Sequence, residues 1–236
     1  PMIDGLAIAT SRLGKLNYSG ARLWGSVAFI ASSTLSGLYL AAYSIDAYPQ
    51  LLLALAAIVI VFVLPLPDIR PQSKTSRKLA FLELFKLPGF SAVVVVGAIL
   101  QASHGALYAV GTLHWINAGI SESIIGLLWA QGVVAEVVLF AVGIWLISKL
   151  GVKGLLWTAV IAGVVRWLAL GWSTEVGLLF TVQILHAFTF AATHLAITQY
   201  ITQKVPDQLT ASAQTLYDAL ALGAFMGISM TLAGGL

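Results

Sequence analysis

The chain has 236 residues, of which 59% are hydrophobic and 9% charged, with a formal net charge of +3. Its mean hydropathy of +0.96 lies far outside the range of soluble domains, which excludes a water-soluble enzyme or binding module and predicts an integral membrane protein. Without cysteines it has no disulfide framework, no thiolate catalysis and no cysteine-ligated metal.

Seven stretches are apolar and long enough to be read as membrane spans, near 24–45, 50–66, 90–113, 122–147, 153–173, 176–201 and 211–235. Period-2 alternation in ten-residue units is absent, so a β-barrel is excluded and the predicted fold class is an all-α integral membrane bundle of seven transmembrane helices. Basic residues follow alternate loops. Arg12, Lys15 and Arg22 precede the first span; Arg70, Lys74, Arg77, Lys78 and Lys86 separate the second and third. Lys149 and Lys153 follow the fourth, and Lys204 the sixth. The positive-inside rule places these loops, and the amino end, in the cytoplasm. A charge spread in this way argues for a lipid bilayer as partner and against nucleic acid. The chain starts without Met and stops directly after an apolar run, and is read as a piece of a longer protein.

The longest polar connection runs from Pro67 to Phe90. Its second half sets Leu79, Phe81, Leu82 and Phe85 against Arg77, Lys78, Glu83 and Lys86, which suits either a short helix on the inner membrane surface or an extension of the next span. The other loops are short and force antiparallel neighbours. Gly223 and Gly227 have G-x-x-x-G spacing and are expected to mark close helix packing.

An ionisable group at the centre of a membrane helix costs about 2.5–3.5 kcal/mol on insertion scales, so it should face the bundle interior or a wet cavity. Here His104, Glu136, Arg166, His186, His194 and Asp218 are such groups. At 100° per residue Gln101, His104, Tyr108 and Thr112 share one stripe, Gln183, His186, Thr193 and His194 a second, and Gln214 and Asp218 a third. Glu136 stands on a fourth helix with Trp129 near its face. Each group alone is accounted for as interhelical glue, or, for Glu136 and Arg166, as a structural ion pair. Together they predict a solute or ion pathway. Metalloprotease, nucleophile-elbow, Walker and dinucleotide signatures are absent, so no enzyme activity and no cofactor are expected. His186 and His194 are too far apart along the axis to share a metal without help from another helix.

"YSGARLWGSVAFI" (Tyr18–Ile30), "ISESIIGLLWAQGVVAEVVLF" (Ile120–Phe140), "VVRWLAL" (Val164–Leu170), "TVQILHAFTFAATHLAITQYI" (Thr181–Ile201) and "ASAQTLYDAL" (Ala211–Leu220) resemble the phenylpropionate-permease-like branch of the major facilitator superfamily. The resemblance implies a twelve-helix transporter of two six-helix halves, of which this chain holds about helices five to eleven. Residues 1–66 would then end the N-terminal half, 67–89 form the central cytoplasmic loop with the candidate interfacial helix, and 90–236 supply five helices of the C-terminal half. "ISKLGVK" (Ile147–Lys153) resembles an inner-loop motif of the superfamily, which makes Lys149, Gly151 and Lys153 gating-loop candidates, with Ser148 where that motif has an Asp.

The function so implied is proton-coupled uptake of a small organic, phenylpropionate-like acid by alternating access across the inner membrane. The alternatives are a sugar or nucleoside symporter and a non-transporting membrane sensor. The fragment alone is expected to be inactive without the missing helices of the same polypeptide. Proton-coupling candidates are Glu136, His104, His186 and His194. Substrate-binding candidates are Arg166, Gln101, Tyr108, Trp129, Gln183, Thr193 and Asp218, with Arg166 either holding Glu136 ionised or receiving the substrate carboxylate.

Overall fold

The computed structural model describes residues 7, 10, 11, 17–43, 47–65 and 77–235. Among these every regular element is helical. In chain order they are α1 (Tyr18–Tyr43), α2 (Tyr48–Val63), α3 (Arg77–Leu84), α4 (Phe90–Asn117), α5 (Glu122–Ala141), α6 (Gly143–Trp172), α7 (Val176–Lys204) and α8 (Asp207–Gly234). Arg12, Lys15, Arg70 and Lys74, used above to orient the chain, lie outside the described residues, as does the stretch 67–76 of the expected central loop.

Among the described residues five helices are long and apolar enough to cross a membrane: α4, the stretch Ser123–Ala141 of α5, α6, α7 and α8. The expected count of seven is not confirmed among the described residues. The first two expected spans are helical, but α2 has only 16 residues, about 24 Å of rise against a hydrocarbon core of about 30 Å. In α1 the apolar stretch is Leu23–Ser32. No residue of α2 is buried. The helical pattern is interrupted at Val142, and between the spans expected at 122–147 and 153–173 the backbone leaves helical geometry at Gly151, inside the element Gly143–Trp172, so the change of direction falls where the sequence places it. Gly151 has φ 59° and ψ −175°, a backbone region essentially restricted to glycine, so the motif glycine is what lets the chain turn there.

The segment Arg77–Leu84 is a separate helix, divided from α4 by a turn in which Gly89 has φ 79°. It is not an extension of the next span. Leu84 is fully buried with Phe90, Ile197 and Tyr217, while Leu82 and Phe85 are exposed.

Helix α7 is the centre of the bundle and packs on α4, α5 and α6; α8 packs on α4, and α1 on α5. Apolar clusters form at both ends. One holds Trp115, Leu128 and Leu179; two others, about Phe90 and Ile197 and about Phe140 and Leu195, occupy the opposite end. The layer between them is polar.

Three helices leave α-geometry near this layer, through π-helical segments Leu107–Gly111 in α4, Ala187–Ala192 in α7 and Ala219–Phe225 in α8. Such segments disturb the i→i−4 ladder and are frequent at functional sites. The expectation of close packing at Gly223 and Gly227 fails among the described residues. A Cβ at either position would meet nothing within 4 Å, because α8 meets α4 through Met226 and Ser229 instead.

Helix α7 begins with a charged cap. The Glu175 carboxylate accepts from the Gly177 amide at 2.8 Å and the Leu178 amide at 2.6 Å, and these two bonds hold its pKa below the usual carboxylate range. A pKa lowered by folding contributes stability above the unfolded value, and this is lost as pH falls through the folded value. Glu175→Ala should therefore lower the thermal unfolding midpoint at neutral pH. Melting curves taken at decreasing pH should show the gap to wild type closing in the acid range; a gap independent of pH would contradict the cap's charge dependence.

Candidate functional site

The polar layer is built by four helices. From α6, Arg166 enters with only 1% of its surface exposed. Its Nη1 donates to Thr189 Oγ1 at 3.0 Å and its Nη2 to Gln183 Oε1 at 2.8 Å, while the guanidinium lies 4.6 Å from the Trp167 ring centroid. Gln183 is itself fixed, because its Nε2 donates to the Leu128 carbonyl of α5 at 3.2 Å. The Nε–H of Arg166 is buried without a hydrogen-bond partner among the described residues. Leaving such a donor unmade costs about 1–3 kcal/mol, and an acceptor arriving there would recover it.

From α4, His104 is fully buried. Its Nε2 lies 3.1 Å from Thr189 Oγ1, and its Nδ1 lies 3.1 Å from the carbonyl oxygens of both Leu100 and Gln101. From α7, His186 stands 5.2 Å from His104 by ring centroids and is stacked on Phe190. From α5, Glu136 Oε2 approaches His186 Nε2 at 3.8 Å. Gly132, one turn earlier on α5, lies against the same side chain: a Cβ there would be in ordinary contact with His186 at 3.4 Å.

An aromatic group borders this centre. The Tyr108 ring is 5.8 Å from both His104 and Trp129, and Trp129 donates to Thr112 Oγ1 at 3.1 Å. Tyr108 is 41% exposed. Gln101 Nε2 reaches the Phe190 carbonyl at 3.5 Å, and Thr193 donates to the Thr189 carbonyl at 2.8 Å.

His104, Glu136, Arg166, Gln183 and His186 thus come together, with Gln101, Tyr108, Trp129 and Thr193 around them. The other candidates lie elsewhere. His194, further along α7, faces α1 and α5, with Tyr18 OH 2.6 Å from its Nε2 and the Phe140 ring edge-on. Asp218 sits on α8, where its Oδ1 accepts from Gln214 at 3.1 Å. Lys149 and Lys153 are exposed on either side of the Gly151 kink. Two residues of the centre carried no charge signal in the sequence: Thr189, on which Arg166 and His104 meet, and Ser103, which accepts from Trp167 Nε1 at 3.0 Å.

A bundle of long apolar helices that buries an arginine, a glutamate and two histidines at mid-depth is a multi-pass membrane protein with a polar centre. The whole chain, residues 1–236, matches the model of the MFS_1 like family, and the chain belongs to that family. It is 35% identical over 241 residues to the "Probable 3-phenylpropionic acid transporter" of Escherichia coli (strain K12), covering 99% of this chain and 62% of that protein. It is 23% identical to the "Uncharacterized transporter YwbF" of Bacillus subtilis (strain 168), covering 100% of this chain and 59% of that protein. The chain therefore spans less than two thirds of the length of these curated relatives. No solved structure matches it.

Proposed function

We propose that the full-length protein is a secondary active transporter which takes up a small organic acid, an aromatic carboxylate of the phenylpropionate type, together with protons by alternating access. The observation that carries this reading is the buried Arg166, whose unpaired Nε–H lies in a layer shared with Glu136, His104 and His186. A fixed guanidinium suits a carboxylate, and the Tyr108 and Trp129 rings suit the aromatic part. A glutamate and two histidines supply groups able to change protonation. The relatives' names support transport, and that of the first supports the substrate class. In this reading further helices of the full-length polypeptide complete a second half, and the protein is placed in the inner membrane with the amino end of this chain in the cytoplasm.

The test is uptake of labelled 3-phenylpropionate by cells expressing the full-length protein, with and without a protonophore. Saturable uptake that collapses with the proton gradient is expected. Absence of uptake, with membrane expression confirmed, would overturn the substrate assignment and turn attention to sugars and nucleosides.

A further inference from the structure

The single hydroxyl of Thr189 has three polar neighbours with different capacities. Arg166 Nη1, at 3.0 Å, can only donate. The His186 carbonyl, at 3.3 Å, can only accept. His104 Nε2, at 3.1 Å, can do either. The other ring nitrogen decides between these. His104 Nδ1 faces two carbonyl oxygens, both acceptors, so it carries a hydrogen. A neutral His104 therefore presents a bare Nε2 and takes the Thr189 hydroxyl hydrogen. A protonated His104 donates from Nε2; the hydroxyl then accepts from both His104 and Arg166 and turns its hydrogen to the His186 carbonyl. The donor and acceptor count closes in both states, and the hydroxyl direction reports the charge on His104.

The protonated state places two cations on one oxygen, a repulsive arrangement in a water-poor interior. The groups facing them from each packed helix are Tyr108 on α4, Glu136 on α5, Trp167 on α6 and His186 on α7. Helix α8 meets the adjoining Gly105 with Met226 and Ser229, neither of them ionisable at neutral pH. Of these groups Glu136 supplies the negative charge, and it approaches His186 at 3.8 Å. A carboxylate arriving at Arg166 Nε would add a second negative charge and relieve the repulsion.

We propose that Thr189 is the positioning residue that links carboxylate binding at Arg166 to protonation of His104, its hydroxyl turning from His104 to the His186 carbonyl as the proton arrives. This rests on the proton-coupled uptake of an organic acid argued above. Because coupling is reciprocal, the proton strengthens carboxylate binding by the factor with which the carboxylate strengthens proton binding. The turning hydroxyl also changes the load on a carbonyl at the entry to the π segment Ala187–Ala192, so the proton's arrival reaches the backbone of the central helix.

The experiment is binding of labelled 3-phenylpropionate to the purified full-length protein in liposomes between about pH 5.5 and 8, where the ligand is ionised throughout. One linked proton gives wild type about a tenfold loss of affinity per pH unit above the histidine titration. Thr189→Val, which keeps the side-chain volume and lacks the hydroxyl, is expected to change by less than about twofold per unit, and Thr189→Ser to retain the tenfold slope. A purely structural threonine would instead shift affinity equally at every pH. A folded Val variant with the full slope overturns the proposal, as does a folded Ser variant with none, which decides the matter if Val does not fold. Wild type without pH dependence would overturn the proton-coupled reading and this inference with it. A slope kept in both wild type and Val overturns this inference alone.

Discussion

Replacing Glu136 by Gln in the full-length protein is expected to abolish proton-driven accumulation of labelled 3-phenylpropionate while leaving expression and energy-independent exchange in place. The carboxylate is 6% exposed and approaches His186 at 3.8 Å, at a depth where an ionised group must find a partner. Gln keeps the volume and a hydrogen-bonding head group but cannot change charge. A pH difference of one unit is worth about 1.4 kcal/mol per proton, enough to drive tenfold accumulation at one proton per substrate. In the variant the ratio of internal to external substrate should fall to about one, with counterflow of labelled against unlabelled substrate retained. Accumulation at the wild-type ratio would remove Glu136 from coupling and leave the histidines. Loss of counterflow as well would assign Glu136 to binding.

Much of the fold was legible because the signals are additive over many residues. Continuous apolar runs predict the helices, and on α7 both His186 and His194 face α5, through Glu136 and Phe140. The depth of each group was harder to read. His186 falls in the layer of His104 and Arg166, whereas His194 meets Tyr18 from α1, a contact between segments 176 positions apart in the chain. The expected span 50–66 is the helix Tyr48–Val63, whose 16 residues leave a crossing unconfirmed, and the turn expected between 147 and 153 falls at Gly151. Gly151 was noticed through the motif, but its positive φ depends on the backbone path and on nothing in composition.

The centre was half legible. Charged residues within apolar runs stand out, and of these candidates Arg166, Glu136, His104 and His186 come together while His194 lies apart. A threonine in a membrane helix does not stand out, because its hydroxyl commonly bonds its own backbone, as Thr193 does to the Thr189 carbonyl. Thr189 differs only because α6 and α4 deliver a guanidinium and an imidazole to it, and that follows from the rotation of three helices about their axes. The same dependence explains Arg166. Sequence offered a structural ion pair with Glu136 as one reading. In the structure its two terminal nitrogens are bound to a hydroxyl and an amide, both neutral, so the positive charge is oriented by groups that do not cancel it.

That orientation makes Arg166 the position where substitution should have the second large effect. Hydrogen bonds to a charged group contribute about 1.5–3 kcal/mol, so losing a carboxylate contact here should weaken 3-phenylpropionate binding by about 10- to 150-fold. Arg166→Lys keeps the charge, but an ammonium lacks the planar fork that reaches Thr189 and Gln183 together while leaving the Nε–H for a further acceptor. It should express and fold, and bind the carboxylate weakly. Arg166→Met removes the charge and, at similar length, fills the space beside Trp167. If the guanidinium served only to hold α4, α6 and α7 together, Lys would restore binding in proportion to stability, and the neutral analogue 3-phenylpropanamide would follow the acid in every variant. If it receives the carboxylate, the two ligands part: the acid loses at least tenfold in Lys and more in Met, while the amide changes by less than about threefold in either. Equal losses for acid and amide, measured on protein of unchanged melting temperature, would return Arg166 to a structural role and take the substrate's negative charge out of the mechanism.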